Sequence, residues 1–288
     1  MSIIGGFDRE RVVASAVSVE RQVPLPTPPD LPRRDSEPFG QRKRVARARL
    51  GWQATGVFRT LPENHSWVYD LIASDDVVRH HALARHQALL VAASEALHWS
   101  NRVWAQAGTP APAEPHLAAE MDQARADFRW HQEQTIFGPL RAFFDSGRTD
   151  PAARQSYAPY LALYLQWEAF YPQEWGAPDS RMWSAWGTKE GLLRQLYRGG
   201  VPEQVRPQIS DLIVIALKRP YRCKDWMYAR LVQHVLDTSF TSKIAALLGS
   251  EDPLVRLRAQ FILHVARNPQ HAVKRESWQR WLASDADV

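Results

Sequence analysis

The residues best placed for catalysis are an acid and a histidine three positions apart in a predicted helix. Glu95 and His98 would share one helical face, where they could hold a metal ion together. Asp127 and His131, four apart in the next predicted helix, and Glu168 in the third are partial complements. A two-metal bundle site needs two acid–histidine pairs and two further carboxylates. Half of that template is missing, so we interpret these as ordinary surface residues and predict no metal or other cofactor.

Other motifs that carry chemistry are missing from the sequence. It contains no glycine-rich phosphate loop, no dinucleotide fingerprint and no nucleophile elbow. The pairs Gly5-Gly6 and Gly199-Gly200 are isolated, and neither follows a predicted strand. The sequence therefore favours a protein that is not an enzyme.

A basic loop between two predicted helices is a candidate for binding phosphate groups. Its sequence, from position 218 to 224, is Lys-Arg-Pro-Tyr-Arg-Cys-Lys, and no acid occurs between positions 211 and 225. Cations beside an aromatic ring supply both charge and a stacking surface for nucleic acid. The alternative is a solvated loop whose charges only keep it in water. The predicted contacts are Lys218, Arg219, Tyr221, Arg222 and Lys224.

A second basic cluster follows the proline-rich stretch Pro24–Pro32. This cluster spans residues 42–49, and five of its eight residues are cationic: Arg42, Lys43, Arg44, Arg47 and Arg49. We predict that these five contact phosphates, which releases the counterions of the nucleic acid. The alternative is a solvated arm that packs on an acidic partner. The proline-rich stretch is either a stiff spacer, which we favour, or a peptide ligand for a partner's groove.

The excess positive charge of the chain lies in its first part. Residues 1–60 contain eleven Lys or Arg and six Asp or Glu, whereas residues 61–288 contain twenty-five of each. An asymmetry of this kind indicates a basic tail that meets a polyanion. The charge pattern therefore predicts nucleic acid as a partner.

Composition limits the class of protein and its location. A chain of 288 residues with 45% hydrophobic residues is typical of a globular protein with a sizeable core. A single cysteine excludes an internal disulfide. The segment Met1–Glu10 lacks the apolar run of a secretory signal. Together these features predict a reducing compartment and a cytoplasmic location.

Apolar periodicity near 3.6 residues and the absence of sustained β alternation predict an all-α fold. We expect a basic arm over residues 1–60, an α-helical domain over 61–187 and a second α-helical region over 188–288. Caps and helix-breaking residues predict helices from Ser74 to Ala107, His116 to Phe137, Pro151 to Tyr171 and, after Thr188, Lys189 to Arg198. Asp225 is a predicted N-cap, and Gly249 a predicted left-handed helix end.

The last hundred residues resemble HEAT-type helical repeats. The segment Asp252–Ala259 reads Asp-Pro-Leu-Val-Arg-Leu-Arg-Ala and looks like the start of the second helix in such a repeat. Lys224–Arg230 echoes it 27 residues earlier, and Val201–Arg206 is a looser echo. The resemblance implies stacked helix pairs with a concave binding surface, following a helical bundle.

These observations favour a non-enzymatic α-helical subunit that binds nucleic acid or stabilises a nucleoprotein assembly. The first alternative is a protein–protein adaptor that uses a helical-repeat groove. The second is a metal-dependent helical-bundle enzyme built on the acid–histidine pairs above.

Overall fold

Capping residues, prolines and glycines divide the chain into helices. The computed structural model describes residues 63–108, 112–147, 150–177 and 184–284, and contains no strand among them. The predicted all-α fold is therefore confirmed for this part of the chain. The α-helices are α1 (Asp76–Ala107), α2 (Pro115–Glu133), α3 (Phe137–Ser146), α4 (Pro151–Phe170), α5 (Pro172–Trp175), α6 (Ala185–Gly199), α7 (Arg206–Lys218), α8 (Val232–Val235), α9 (Thr238–Ala246), α10 (Pro253–Arg267) and α11 (Arg275–Ala283). The 3₁₀ helices are Glu63–Ile72, Glu203–Val205, Asp225–Leu231 and Leu247–Gly249.

Local capping explains both ends of the longest helix. The side chain of Asp75 accepts hydrogen bonds from the backbone N–H groups of Val77 and Val78 at 2.8 and 3.2 Å, which satisfies donors that a helix start leaves free. Gly108 ends the helix in the left-handed conformation at φ 66°. The predicted helix end at Ala107 is confirmed. The predicted N-cap, Ser74, is wrong by one residue, because Asp75 is the cap.

The predicted helix from His116 to Phe137 is two helices. Its first part ends at Glu133, and α3 begins at Phe137. Pro139 lies in the first turn of α3, where its missing N–H costs no helical hydrogen bond. The interruption therefore precedes the proline and lies between Glu133 and Phe137.

One hydrophobic core runs through the described residues, all of which belong to the compact unit Gly56–Val288. Between Tyr157 and Glu168, helix α4 is buried on every side, and Leu161, Leu163, Tyr164 and Leu165 all have 1% or less of their surface exposed. A helix that is apolar all round lies at the centre of its fold. The core includes residues on both sides of position 187. The predicted boundary between an α-helical domain over 61–187 and a second region over 188–288 stays a prediction.

The final helices follow their local caps. The side chain of Asp252 accepts a hydrogen bond from the backbone N–H of Leu254 at 2.8 Å, and Pro253 is the first residue of α10. Gly249 instead lies in a 3₁₀ helix, and it is not among the described residues with positive φ. The echo that begins at Lys224 forms the 3₁₀ helix Asp225–Leu231. None of the described helices has the length and apolar character needed to span a bilayer.

Candidate functional site

The basic loop joins the end of α7 to the 3₁₀ helix Asp225–Leu231. Helix α7 ends at Lys218, and Arg219 is extended before Pro220. Lys224 has φ 69°, a left-handed conformation that is uncommon for a residue other than glycine. The N–H of Asp225 donates to the carbonyl of Arg222 at 3.0 Å and closes the turn. Such a backbone persists only where its neighbours fix it.

A buried ion network fixes this loop. The Lys189 Nζ lies 2.7 Å from Asp225 Oδ1 and 3.3 Å from Glu168 Oε2, and the side chains of Lys189 and Glu168 are 0% exposed. Arg219 Nη2 contacts the same two carboxylate oxygens at 2.9 and 2.8 Å. Buried charges persist when they are paired in this way. The network therefore joins α4, α6 and the loop.

Arg222 closes the network from the solvent side. Its Nη1 donates to the Glu168 carbonyl at 2.6 Å and lies 3.2 Å from Glu168 Oε1. Its backbone N–H donates to Asp225 Oδ2 at 2.8 Å. The three cations Lys189, Arg219 and Arg222 thus surround two carboxylates, and the network carries one excess positive charge.

The network sets the protonation of its acid and of a neighbouring phenol. Burial by itself would raise the pKa of Glu168, but the charge of Lys189 and the hydrogen bond and charge of Arg219 outweigh it, so that its pKa is lowered. Complete burial raises the pKa of the nearby Tyr228 far above its ordinary value. Glu168 is therefore an anion and Tyr228 a neutral phenol at physiological pH.

Three of the predicted phosphate contacts have acidic partners within the protein. Arg219 and Arg222 belong to the buried network, and Lys224 Nζ lies 2.6 Å from Glu190 Oε2 on α6. The lack of acids between positions 211 and 225 therefore does not leave the loop unpaired, because Glu168 and Glu190 reach it from distant parts of the sequence and Asp225 folds back onto it. A role of these three side chains in binding nucleic acid stays a prediction.

The other two predicted loop residues face solvent. Lys218 is exposed, and Tyr221 has 45% of its surface exposed. Burial of the rest of the ring raises the pKa of Tyr221, Asp225 adds to this effect, and the positive charge of Arg275 opposes it. Arg275 is exposed at the start of α11, a helix that contacts the 3₁₀ helix following the loop, and its charge acts on Tyr221. We name Lys218, Tyr221 and Arg275 the basic patch.

The described part of the chain is divided by charge. The described residues between 63 and 177 include fourteen Asp or Glu and seven Lys or Arg, whereas residues 184–284 include eight and sixteen. The net charge of residues 61–288 is zero because an acidic part is followed by a basic part. The predicted arm contacts, Arg42, Lys43, Arg44, Arg47 and Arg49, lie outside the described residues.

The acid–histidine pairs do not combine with Glu168. Glu168 is buried within the ion network, whereas Glu95 and His98 are both exposed on α1. His131, on α2, packs its ring against Trp130 at a centroid distance of 4.8 Å. Within the described ranges no group of three or more His, Cys, Asp or Glu is arranged to hold a metal ion.

The pairing of Lys189 with Glu168 was not predicted, although the sequence holds a signal for each residue. Lys189 precedes Leu192, Leu193 and Leu196 at spacings of three, four and seven, which puts its ammonium on the buried face of α6. Glu168 lies in the apolar run of α4. A buried position for each of two opposite charges predicts that they pair with one another. Arg275 had no comparable signal.

In comparisons with known proteins, no family model, curated protein or solved structure matches this chain. The resemblance to HEAT-type repeats therefore stays a prediction.

Proposed function

We propose that this protein is a non-enzymatic α-helical subunit that binds nucleic acid, and that the basic patch on its last hundred residues is a contact site. The observation that carries the proposal is the twofold excess of cations over acids in residues 184–284. Phosphate backbones attract such a surface by releasing their counterions. A cytoplasmic location and membership of a nucleoprotein assembly are parts of the same proposal.

The basic patch has the chemistry that such contacts need. Lys218 and Arg275 are exposed, and neither forms an ion pair with any residue that the structure describes. Both are free to contact phosphates, while the exposed part of the Tyr221 ring is available to a base. In this proposal Arg219 and Arg222 hold the loop in shape, and the arm residues from Arg42 to Arg49 add further phosphate contacts.

The proposal predicts how binding depends on salt. Changing Lys218 and Arg275 together to Gln is expected to reduce the slope of log K against log salt concentration by about 1.5, since each lost phosphate contact accounts for about 0.7–0.9. Fluorescence anisotropy of the full chain with single-stranded and duplex oligonucleotides, from low to moderate salt, measures the slope. Changing Arg42, Lys43 and Arg44 to Ala should also make it shallower.

The matched control changes Arg102 and Arg129 to Gln, because both are exposed cations in the acidic part of the chain. The control has the same change of net charge and should leave the slope as it is. An equal effect in the control would show that only net charge matters. Absence of binding to any DNA or RNA, or binding that ignores salt, would refute the proposal.

A protein–protein adaptor is the second candidate, and two exposed indoles favour it. Trp104 on α1 and Trp130 on α2 have 41% and 55% of their surface exposed. Tryptophan is enriched among residues that dominate binding energy at interfaces. The adaptor hypothesis predicts a partner that stays bound to the full chain after nuclease treatment and is lost when both tryptophans are changed to Ala. A pull-down with quantitative mass spectrometry measures this, and loss of the partner on nuclease treatment would favour the nucleic-acid proposal.

A further inference from the structure

A polar, solvent-facing pocket of about 240 Å³ lies where α7 and α9 begin. Because about 10–15 Å³ on this scale accommodates one water molecule, the pocket has room for a polyatomic ion and some of its water. The polar and charged side chains at its walls are Glu203, Arg206, Ser210, Asp237, Ser239 and Lys243.

Two helices begin at this pocket. Helix α7 has Val205 at its N-cap, so no capping side chain accepts a hydrogen bond from the N–H groups of its first turn. At the start of α9, Asp237 accepts the N–H of Phe240 at 2.7 Å. Each helix dipole places about half a positive charge at its start. Two helix starts at one pocket therefore favour an anion there.

A buried hydroxyl at the pocket wall is available to a ligand. Ser210 lines the pocket with only 7% of its surface exposed, and its hydroxyl has no hydrogen bond to any residue that the structure describes. By contrast, the hydroxyl of Ser242 on α9 donates to the carbonyl of Thr238, four residues earlier. A serine hydroxyl that does not bond its own helix can donate to a group in the pocket. Ser210 therefore points to a ligand that accepts hydrogen bonds.

Two cations at the pocket are paired with carboxylates that extend into solvent. Arg206 Nη2 lies 2.5 Å from Glu203 Oε2, and Lys243 Nζ lies 2.7 Å from Asp211 Oδ1. The side chains of Glu203 and Asp211 are 72% and 58% exposed, so water screens both pairs and they contribute little to stability. Arg206 Nε is buried and has no partner in the described part of the chain. An anion in the pocket can therefore displace either carboxylate at little cost.

The charges at the pocket walls favour an anion over a cation. Glu203 and Asp237 balance Arg206 and Lys243, and the two helix starts add about one positive charge. The carboxylate of Asp237 is already held by an N–H group of α9. Asp211 does not line the pocket. The groups that remain for a ligand are therefore mainly hydrogen-bond donors.

We propose that this pocket binds a phosphate group. Ser210 donates its hydroxyl hydrogen to one phosphate oxygen, and Arg206 and Lys243 pair with the negative charge. A phosphate group presents at least three acceptor oxygens, which suits donors that come from two helices. The site is independent of the nucleic-acid proposal, because it shares no residue with the basic patch.

Calorimetric titration of the full chain with potassium phosphate tests the proposal, with potassium chloride at the same ionic strength as the reference. We expect saturable binding of phosphate that chloride does not reproduce. Ser210→Ala is expected to weaken binding about tenfold, because a hydrogen bond to a charged group is lost. Arg206→Gln should weaken it by a similar factor. Arg267→Gln, which removes an exposed cation at the end of α10, should leave the affinity unchanged.

The competing carboxylates give a test of opposite sign. Glu203→Gln and Asp211→Asn each remove a carboxylate that competes with phosphate for a cation, so each should tighten binding about two- to fivefold. Glu251→Gln makes the same change of net charge at an exposed position away from the pocket and should leave the affinity as it is. Equal tightening in Glu251→Gln would show that only net charge matters and would overturn the proposed contacts.

Two oligonucleotides of one sequence, with a terminal phosphate or a terminal hydroxyl, identify the source of the phosphate group. Tighter binding of the phosphorylated one, lost in Ser210→Ala, would assign the site to nucleic-acid ends, whereas equal affinity would assign it to a small phosphate-bearing molecule. Lack of saturable binding of inorganic phosphate, or undiminished binding in both Ser210→Ala and Arg206→Gln, would overturn the proposal. The salt slope set by Lys218 and Arg275 would stand in either case, so the nucleic-acid proposal is tested separately.

Discussion

Changing Glu168 to Gln is expected to lower the free energy of unfolding by about 3–5 kcal/mol, the usual cost of breaking a buried ion pair. The variant leaves Lys189, Arg219 and Arg222 with Asp225 as the one remaining carboxylate of the network. Lys189 and Glu168 are fully buried, so solvent cannot screen the unbalanced charge. Chemical denaturation at neutral pH measures the loss.

The charge count of the network predicts an asymmetry between its members. Lys189→Met should cost clearly less than Glu168→Gln, because two cations then remain with two carboxylates. Glu190→Gln is the matched surface control, since that carboxylate is 27% exposed and pairs with Arg194 and Lys224, and it should cost at most about 1 kcal/mol. A larger loss in Lys189→Met than in Glu168→Gln would contradict the asymmetry.

The same network implies a dependence on pH with a definite sign. The pKa of Glu168 is lower in the folded protein than in the unfolded chain. Its stabilising contribution is therefore complete above the unfolded value of about 4.3 and is lost as pH falls through the folded value. The difference between the parent and Glu168→Gln should shrink in that acidic range.

Between pH 6.5 and pH 4, His86 alone is expected to lower the free energy of unfolding by about 3 kcal/mol. Burial lowers its pKa from 6.5 to about 4. In that window the unfolded chain takes up a proton that the folded protein does not, so stability decreases as pH falls. Denaturation midpoints at half-unit steps of pH measure the slope.

His86→Leu isolates this contribution. The leucine variant cannot take up the proton, so it should keep its stability between pH 6.5 and pH 4.5 better than the parent does. His80→Leu changes an exposed histidine on the same helix and should follow the parent. Parallel pH profiles for the parent and His86→Leu would mean that His86 is protonated as readily in the folded protein as in the unfolded chain.

Local rules determined the secondary structure to a large extent. Helix ends depend on residues within one turn of each other, and the sequence therefore predicted a helix start at Asp252–Ala259 and a helix end at Ala107. Errors of one residue, as at Ser74, arise where two neighbouring side chains can both cap. The predicted N-cap Asp225 is wrong for another reason, since it is the first residue of the 3₁₀ helix Asp225–Leu231. Its carboxylate accepts the Arg222 N–H and pairs with Lys189, which lies 36 residues away.

The sequence by itself determined the helical class of this protein and where its cations are concentrated, because periodicity, capping and composition are properties of neighbouring residues. Only the tertiary structure decided which of those cations are available. Glu168 is brought to Arg219 and Arg222, and Glu190 to Lys224, from up to 54 positions away, so cations of a loop that lacks acids in sequence are paired in space. Which acid pairs with which cation over a long stretch of sequence depends on how the buried helix faces pack. The spacing of charges along the chain does not reveal that pairing.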